Sequence, residues 1–91
     1  MELKETIDKM NSADYKERFI AEYQQTKIRY EKLKYFNTRI KAAEMTCCTA
    51  SPVEMPKHDC PIDLLLEQQH IMGQYLHILE VRAVIEGISL V

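Results

Sequence analysis

Four tyrosines, Tyr15, Tyr23, Tyr30 and Tyr35, interleave with Lys16, Arg18, Lys27, Arg29, Lys32 and Lys34 in one run, YKERFIAEYQQTKIRYEKLKYF. Aromatic rings offer flat faces on which nucleobases stack, and lysine and arginine offer charge and hydrogen bonds to phosphate. The same residues at helical spacing also suit a helix with an aromatic core stripe and a solvated charged face, which needs no ligand. Other chemistry is poorly provided for. Cys47, Cys48, His58 and Cys60 lie in one loop and are zinc-ligand types, but adjacent cysteines rarely hold one ion together and no Cys-x-x-Cys pair is present. No metal is expected. Ser51 has no nucleophile elbow around it. His70 and His77 stand one heptad apart without a Glu-x-x-His context, and the carboxylates are scattered as helix-surface partners, for example Glu31 with Lys34. With no catalytic set, a non-enzymatic protein without a cofactor is expected. No Gly-x-Gly-x-x-Gly or Walker-type run occurs, so any phosphate site must be built from side chains and helix ends.

The elements that must position these residues are helices. The 91 residues include only 2 glycines and 3 prolines, too few for a many-turned β fold. One all-α domain over residues 1–91 is expected: a short N-terminal helix at 2–10, a long helix at 13–44, a loop at 45–60 and a third helix at 61–86, the last two forming a long antiparallel hairpin. The first helix carries Leu3, Ile7 and Met10 on one face. Asp14 followed by Glu17 reads as a capping-box-like start to the second, with Ser12 as the competing cap. Pro52 and Pro56 exclude regular helix from the loop. Pro61 suits a first helical position, and Gly87 suits the cap that ends the third helix. Ile62, Leu65, Met72, Leu76, Leu79 and Ala83 give that helix its core face, with Gln69 as a polar member.

The long helix repeats every seven residues in three rows: Phe19, Thr26, Leu33, Ile40; Tyr15, Glu22, Arg29, Phe36, Ala43; and Tyr23, Tyr30, Asn37. Glu22, Thr26 and Arg29 interrupt an otherwise apolar stripe, which a core-only stripe would not tolerate. Two long helices bury one seam. The remaining apolar residues, including Tyr35 or Phe36, Ile28, Ile71, Ile78, Val84 and Ile88, need a partner, so self-association is expected. The apolar tail ISLV is expected to pack on the bundle or on a neighbouring chain.

Charge is unevenly spread. Residues 1–41 hold ten basic and seven acidic side chains, a net of +3, whereas residues 42–91 hold two and seven, a net of −5. The basic half is too mixed in sign to coat DNA. No stretch approaches the roughly 20 apolar residues that cross a bilayer, and MELKETIDKM is not a signal peptide. An odd count of three cysteines suggests no disulfide framework and makes a reducing cytosol the default.

Tyr15 and Arg29 share a row but lie fourteen residues apart, hence about 21 Å along a straight helix. If both serve one small nucleotide, they come from different chains, and the site lies at a subunit interface. The runs Tyr15-x-x-Arg18-x-x-x-Glu22 and Arg29-x-x-Lys32-Leu33-x-x-Phe36, with Leu65-x-x-x-Gln69-x-x-Met72-x-x-Tyr75-x-x-x-Leu79-x-x-Arg82, resemble the small phage proteins that antagonise CBASS immunity by sponging cyclic oligonucleotides. The resemblance covers both long helices. It implies a helical protomer assembled into a hexamer in the cytoplasm of an infected bacterial host, with cyclic dinucleotides such as cyclic GMP–AMP held between protomers. It further implies that Tyr15 stacks on a base and that Arg29 from a neighbouring protomer meets phosphate, with Lys32 as a helper. Arg18 belongs to the same set, and Tyr30 is an alternative contact beside Arg29. Some members of that family also hold cyclic trinucleotides at a separate site. Thr26, where a leucine would suit the stripe, and Arg29, where lysine would give a point charge, depart from the pattern. The rival expectation is a helical structural or protein-interaction module, which would oligomerise without any small-molecule ligand.

Overall fold

The computed structural model describes residues 1–90, and every regular element among them is helical. A 3-10 turn over Leu3–Thr6 runs into the short helix α1, Ile7–Met10. Helix α2 spans Tyr15–Thr46 and helix α3 spans Ile62–Glu86. With 32 residues, α2 is about 48 Å long, and it sets the long axis of a body measuring 54 × 25 × 22 Å. Among the described residues no helix is long and apolar enough to cross a membrane.

Helix α2 is uninterrupted because nothing between Tyr15 and Thr46 is glycine or proline. It begins two residues later, and ends two residues later, than the sequence pattern predicts. Asp14 is its N-cap and accepts from the Lys16 amide at 3.0 Å. Ser12 supports the entry instead, its hydroxyl accepting from the Asp14 amide at 3.1 Å. The loop that follows folds back on α2. Thr46 Oγ1 accepts from the Val53 amide at 2.9 Å, Pro56 is buried, and the His58 ring meets Phe36 edge-on with centroids 6.2 Å apart. Pro61 is the N-cap of α3 rather than its first helical residue, its carbonyl accepting from the Leu64 and Leu65 amides. Gly87 ends α3 in the left-handed region at φ 70°, and the Ile88 amide reaches back to the Ala83 carbonyl at 2.8 Å.

The main core cluster lies where the start of α2 meets the end of α3, and Ile40 and Ala43 are buried farther along α2. In that main cluster Phe19, Tyr23, Leu76, Leu79, Ala83 and Ile88 are buried together, with Ile20, Tyr30 and Leu90 packed against them. Each fully buried aliphatic side chain of this kind contributes about 1.5–3 kcal/mol. Ile88 therefore needs no outside partner: the tail turns at Gly87 and covers its own bundle. Val91, the last residue of the expected apolar tail, lies outside the described residues. The core face expected for α3 is present, Leu76, Leu79 and Ala83 being buried and Ile62, Leu65, Met72 and Gln69 half-buried.

The first segment departs from its expected face. Thr6 is fully buried, while Ile7 and Met10 are 51% and 45% exposed. The 3-10 turn has three residues per turn, which places Thr6 beneath Leu3 and rotates the following α-helical residues away from the seam. Thr6 is satisfied there, donating to the Leu3 carbonyl at 2.7 Å and accepting from the Gln25 amide nitrogen at 2.8 Å.

Polar side chains cross the seam at both ends. Asn37 Nδ2 donates to the Leu65 carbonyl at 3.1 Å and to Gln69 Oε1 at 3.0 Å. The Tyr23 hydroxyl donates to Glu80 Oε2 at 2.6 Å. Burial pushes the Tyr23 phenol up to about 12, and its hydrogen bond to the Glu80 carboxylate adds to the rise. Because the folded value lies above the ordinary value of 10.0, this contribution to stability is complete below pH 10.0 and is lost as pH climbs towards 12. Urea unfolding between pH 9 and pH 12 should therefore lose stability more steeply for wild type than for Tyr23→Phe; parallel curves would contradict the assignment.

Candidate functional site

Tyr15 is the first residue of α2 and stands where α3 ends, so its phenol meets the last turns of α3. Its hydroxyl donates to Glu86 Oε1 at 3.1 Å and accepts from an Arg82 Nη at 2.6 Å. Arg82 Nε in turn lies 3.3 Å from Glu86 Oε2. The guanidinium sits over the Phe19 ring at 5.0 Å, and the Phe19 and Tyr15 rings pack tilted with centroids 6.1 Å apart. Fastened at its hydroxyl and leaning on Phe19, the Tyr15 ring remains 46% exposed. A flat aromatic face held in one orientation beside a guanidinium can stack on a base while the cation meets its phosphate.

The same face continues along the hairpin. Glu22 lies two turns beyond Tyr15, and the Tyr75 hydroxyl donates to its Oε1 at 2.5 Å. That hydrogen bond, with burial behind it, raises the Tyr75 phenol above its usual range, and the nearby Arg82 charge opposes the rise. Tyr15 and Glu22 on α2 thus face Arg82 and Tyr75 on α3. Two heptad steps running in opposite directions bring an arginine and two partly exposed tyrosines onto one surface.

The other expected site residues are placed as follows. Arg18 Nη1 donates to the Ser12 carbonyl at 2.9 Å, tying the entry turn to α2 beside Tyr15. Arg29 is exposed and forms no ion pair among the described residues. Lys32 is exposed and borders an open groove with Tyr23, Gln24, Lys27, Ile28 and Glu31. Tyr30 is turned towards α3: a Cβ at Gly73 would stand 3.2 Å from its ring, so the glycine makes room for it. Its edge borders a second open groove with Gln69, His70, Gln74 and His77. Tyr15 and Arg18 therefore share one end of the molecule, and Arg29, Tyr30 and Lys32 lie farther along a continuous helix.

Arg82, Glu86 and Tyr75 were not among the site residues expected from sequence. The signal was present in part, because Tyr75 and Arg82 are one heptad apart on α3 just as Tyr15 and Glu22 are on α2. Pairing the two rows requires the register between helices, which neither row contains. The cysteines make no comparable cluster. Cys47 and Cys48 have sulfurs 3.5 Å apart at the exposed end of α2, Cys60 is also exposed, and the His58 ring is engaged with the Pro56 carbonyl at 2.8 Å. Among the described residues no group of three or more His, Cys, Asp or Glu side chains could hold a metal ion.

The family model described as Sequestin matches residues 13–85 of this chain. The match starts at the turn before α2 and ends at residue 85, so it includes all of α2 and all of α3 except its last residue, Glu86, the carboxylate that Arg82 touches. No curated relative and no solved structure matches the chain.

The positions of Arg29 and Tyr30 make opposite demands on stability. Arg29→Ala should change the unfolding free energy by less than about 0.5 kcal/mol, as for an unpaired surface residue. Tyr30→Ala, which uncovers Gly73, should cost about 1–3 kcal/mol. Chemical denaturation of the two variants beside wild type measures both, and an equal loss in both would contradict this placement.

Proposed function

The chain belongs to the Sequestin family, and on that premise we propose that it binds cyclic nucleotide second messengers such as cyclic GMP–AMP and sequesters them. It lowers the free signal by mass action, without cleaving a bond, and so blocks CBASS antiviral signalling from within the infected bacterial cytoplasm. The observation that carries this reading is the exposed Tyr15 ring, held in one orientation by Arg82, Glu86 and Phe19 at the rim of the core. A ring fixed before binding loses little freedom on stacking, which favours tight and slowly released ligand.

The whole chain acts as one helical domain, and the functional unit is an oligomer, a hexamer by resemblance. Leu64, Ile71, Ile78 and Ile85 recur every seven residues on α3 and are 55%, 54%, 55% and 78% exposed. A continuous apolar row of this period supports helix-to-helix packing between protomers. Arg29 and Lys32 of one protomer then complement Tyr15 of another. That arrangement accommodates the about 21 Å that separate Tyr15 from Arg29 along a single α2.

Calorimetric titration of the purified protein with cyclic GMP–AMP tests this function. Saturable, tight binding is expected, and no heat with any cyclic dinucleotide would overturn it. Tyr15→Ala should weaken binding by about 1–3 kcal/mol through lost stacking, roughly 5- to 150-fold in Kd. Arg29→Ala should weaken it and flatten its dependence on salt. Variants that keep wild-type assembly and bind normally would remove these residues from the site.

A further inference from the structure

Arg82 already does to a carboxylate what a phosphate-binding arginine does to a phosphate. Two donors, its Nε at 3.3 Å and the Tyr15 hydroxyl at 3.1 Å, converge on the two oxygens of Glu86. We propose that Arg82 is a further anion-binding residue of the Tyr15 site and that Glu86 competes with the ligand phosphate for it. The proposal rests on the cyclic-nucleotide reading and deepens it.

Three observations support the exchange. First, the guanidinium is positioned independently of Glu86: it stacks over Phe19 at 5.0 Å and donates to the Tyr15 oxygen at 2.6 Å. It would stay in place if the carboxylate left, with N–H groups to spare for a planar, two-pronged contact to phosphate. Second, the ion pair that holds Glu86 is a weak one, with the Tyr15 hydroxyl as its one further donor. Its contact with Arg82 is a single i,i+4 pair, with the two side chains 47% and 33% exposed, and exposed pairs of this kind contribute little. Third, Glu86 is the last residue of α3 and no basic residue stands in that last turn. A carboxylate there faces the negative end of the helix dipole, so the carbonyls around it favour its departure and only Arg82 and Tyr15 draw it in. The other charged and titratable groups of this surface, Glu22 and Tyr75, are paired with each other at 2.5 Å and leave Arg82 to Glu86 or to an incoming anion.

The exchange also links the aromatic and ionic halves of the site. The Tyr15 hydroxyl bonds to both members of the pair, so a phosphate that replaced Glu86 on Arg82 would take up the same phenol donor. Stacking and phosphate binding would then be coupled through one side chain.

Titration of cyclic GMP–AMP into four proteins tests this: wild type, Glu86→Gln, Arg82→Gln and the double variant, each checked for wild-type melting and assembly. Glu86→Gln keeps the shape and removes the competing charge, and should tighten binding by roughly 3- to 30-fold. Arg82→Gln should weaken it at least tenfold with a shallower salt dependence, and Arg82→Lys should recover part of the loss. The gain from Glu86→Gln should vanish when Arg82 is already Gln, since the two act through one contact. Should Glu86→Gln melt early, Glu86→Ala makes the same comparison. Wild type that binds while Glu86→Gln binds equally or more weakly overturns the competition. Wild type that binds no cyclic nucleotide overturns the functional reading itself, and this assignment with it.

Discussion

The register of α2 against α3 is fixed by side chains that reach across the seam. Asn37 holds the Leu65 carbonyl and Gln69 at one end, and Tyr23 holds Glu80 at the other. Between them Gly73 accepts the Tyr30 ring at a distance that a methyl group would crowd. A buried amide or phenol left without its partner is costly, so a slip of either helix along the other is penalised at several points at once. That register puts Arg82 beneath Tyr15. Had α3 been displaced by one turn, about 5.4 Å, the phenol would face a different side chain and lose the guanidinium beside it. The core supports the same arrangement, because Phe19, which carries the Arg82 guanidinium on its face, belongs to the buried cluster that closes this end of the hairpin.

A hairpin of two long helices with one seam cannot bury all its apolar surface. The short N-terminal segment and the returning tail each cover part of what remains, through Thr6 and Ile88 respectively. The apolar row on α3 from Leu64 to Ile85 is left facing outwards. Membership of the Sequestin family is consistent with a sequestering role. On the Tyr15 face the phenols and carboxylates are paired with one another, Tyr15 with Glu86 and Tyr75 with Glu22.

Much of the fold was legible in the sequence because it depends on local rules. The absence of glycine and proline lets α2 run unbroken, Asp14 caps its start, Gly87 sets the end of α3, and helical period identifies Leu76, Leu79 and Ala83 as core. What was not legible depends on geometry that no local rule contains. The row Tyr15, Glu22, Arg29, Phe36, Ala43 looks uniform in sequence, yet its first three members are exposed and its last two half-buried and buried. A seven-residue repeat drifts by about 20° per heptad on a straight helix, so the row rotates from solvent into the seam along α2. The expected face of the first segment failed because a 3-10 turn changed its period. Tyr15 was recognisable as a candidate from its type and position, whereas its attachment to Arg82 and Glu86 follows only from packing between residues 67 and 71 positions apart.

The central claim is sequestration, in which the ligand is held and remains chemically whole. The most direct measurement is to saturate the protein with cyclic GMP–AMP, separate the complex from free ligand, denature the protein by heat and identify what is released. The account predicts intact cyclic nucleotide in amounts that match the protein's binding sites. Recovery of linear or cleaved nucleotide would contradict it and make the protein an enzyme.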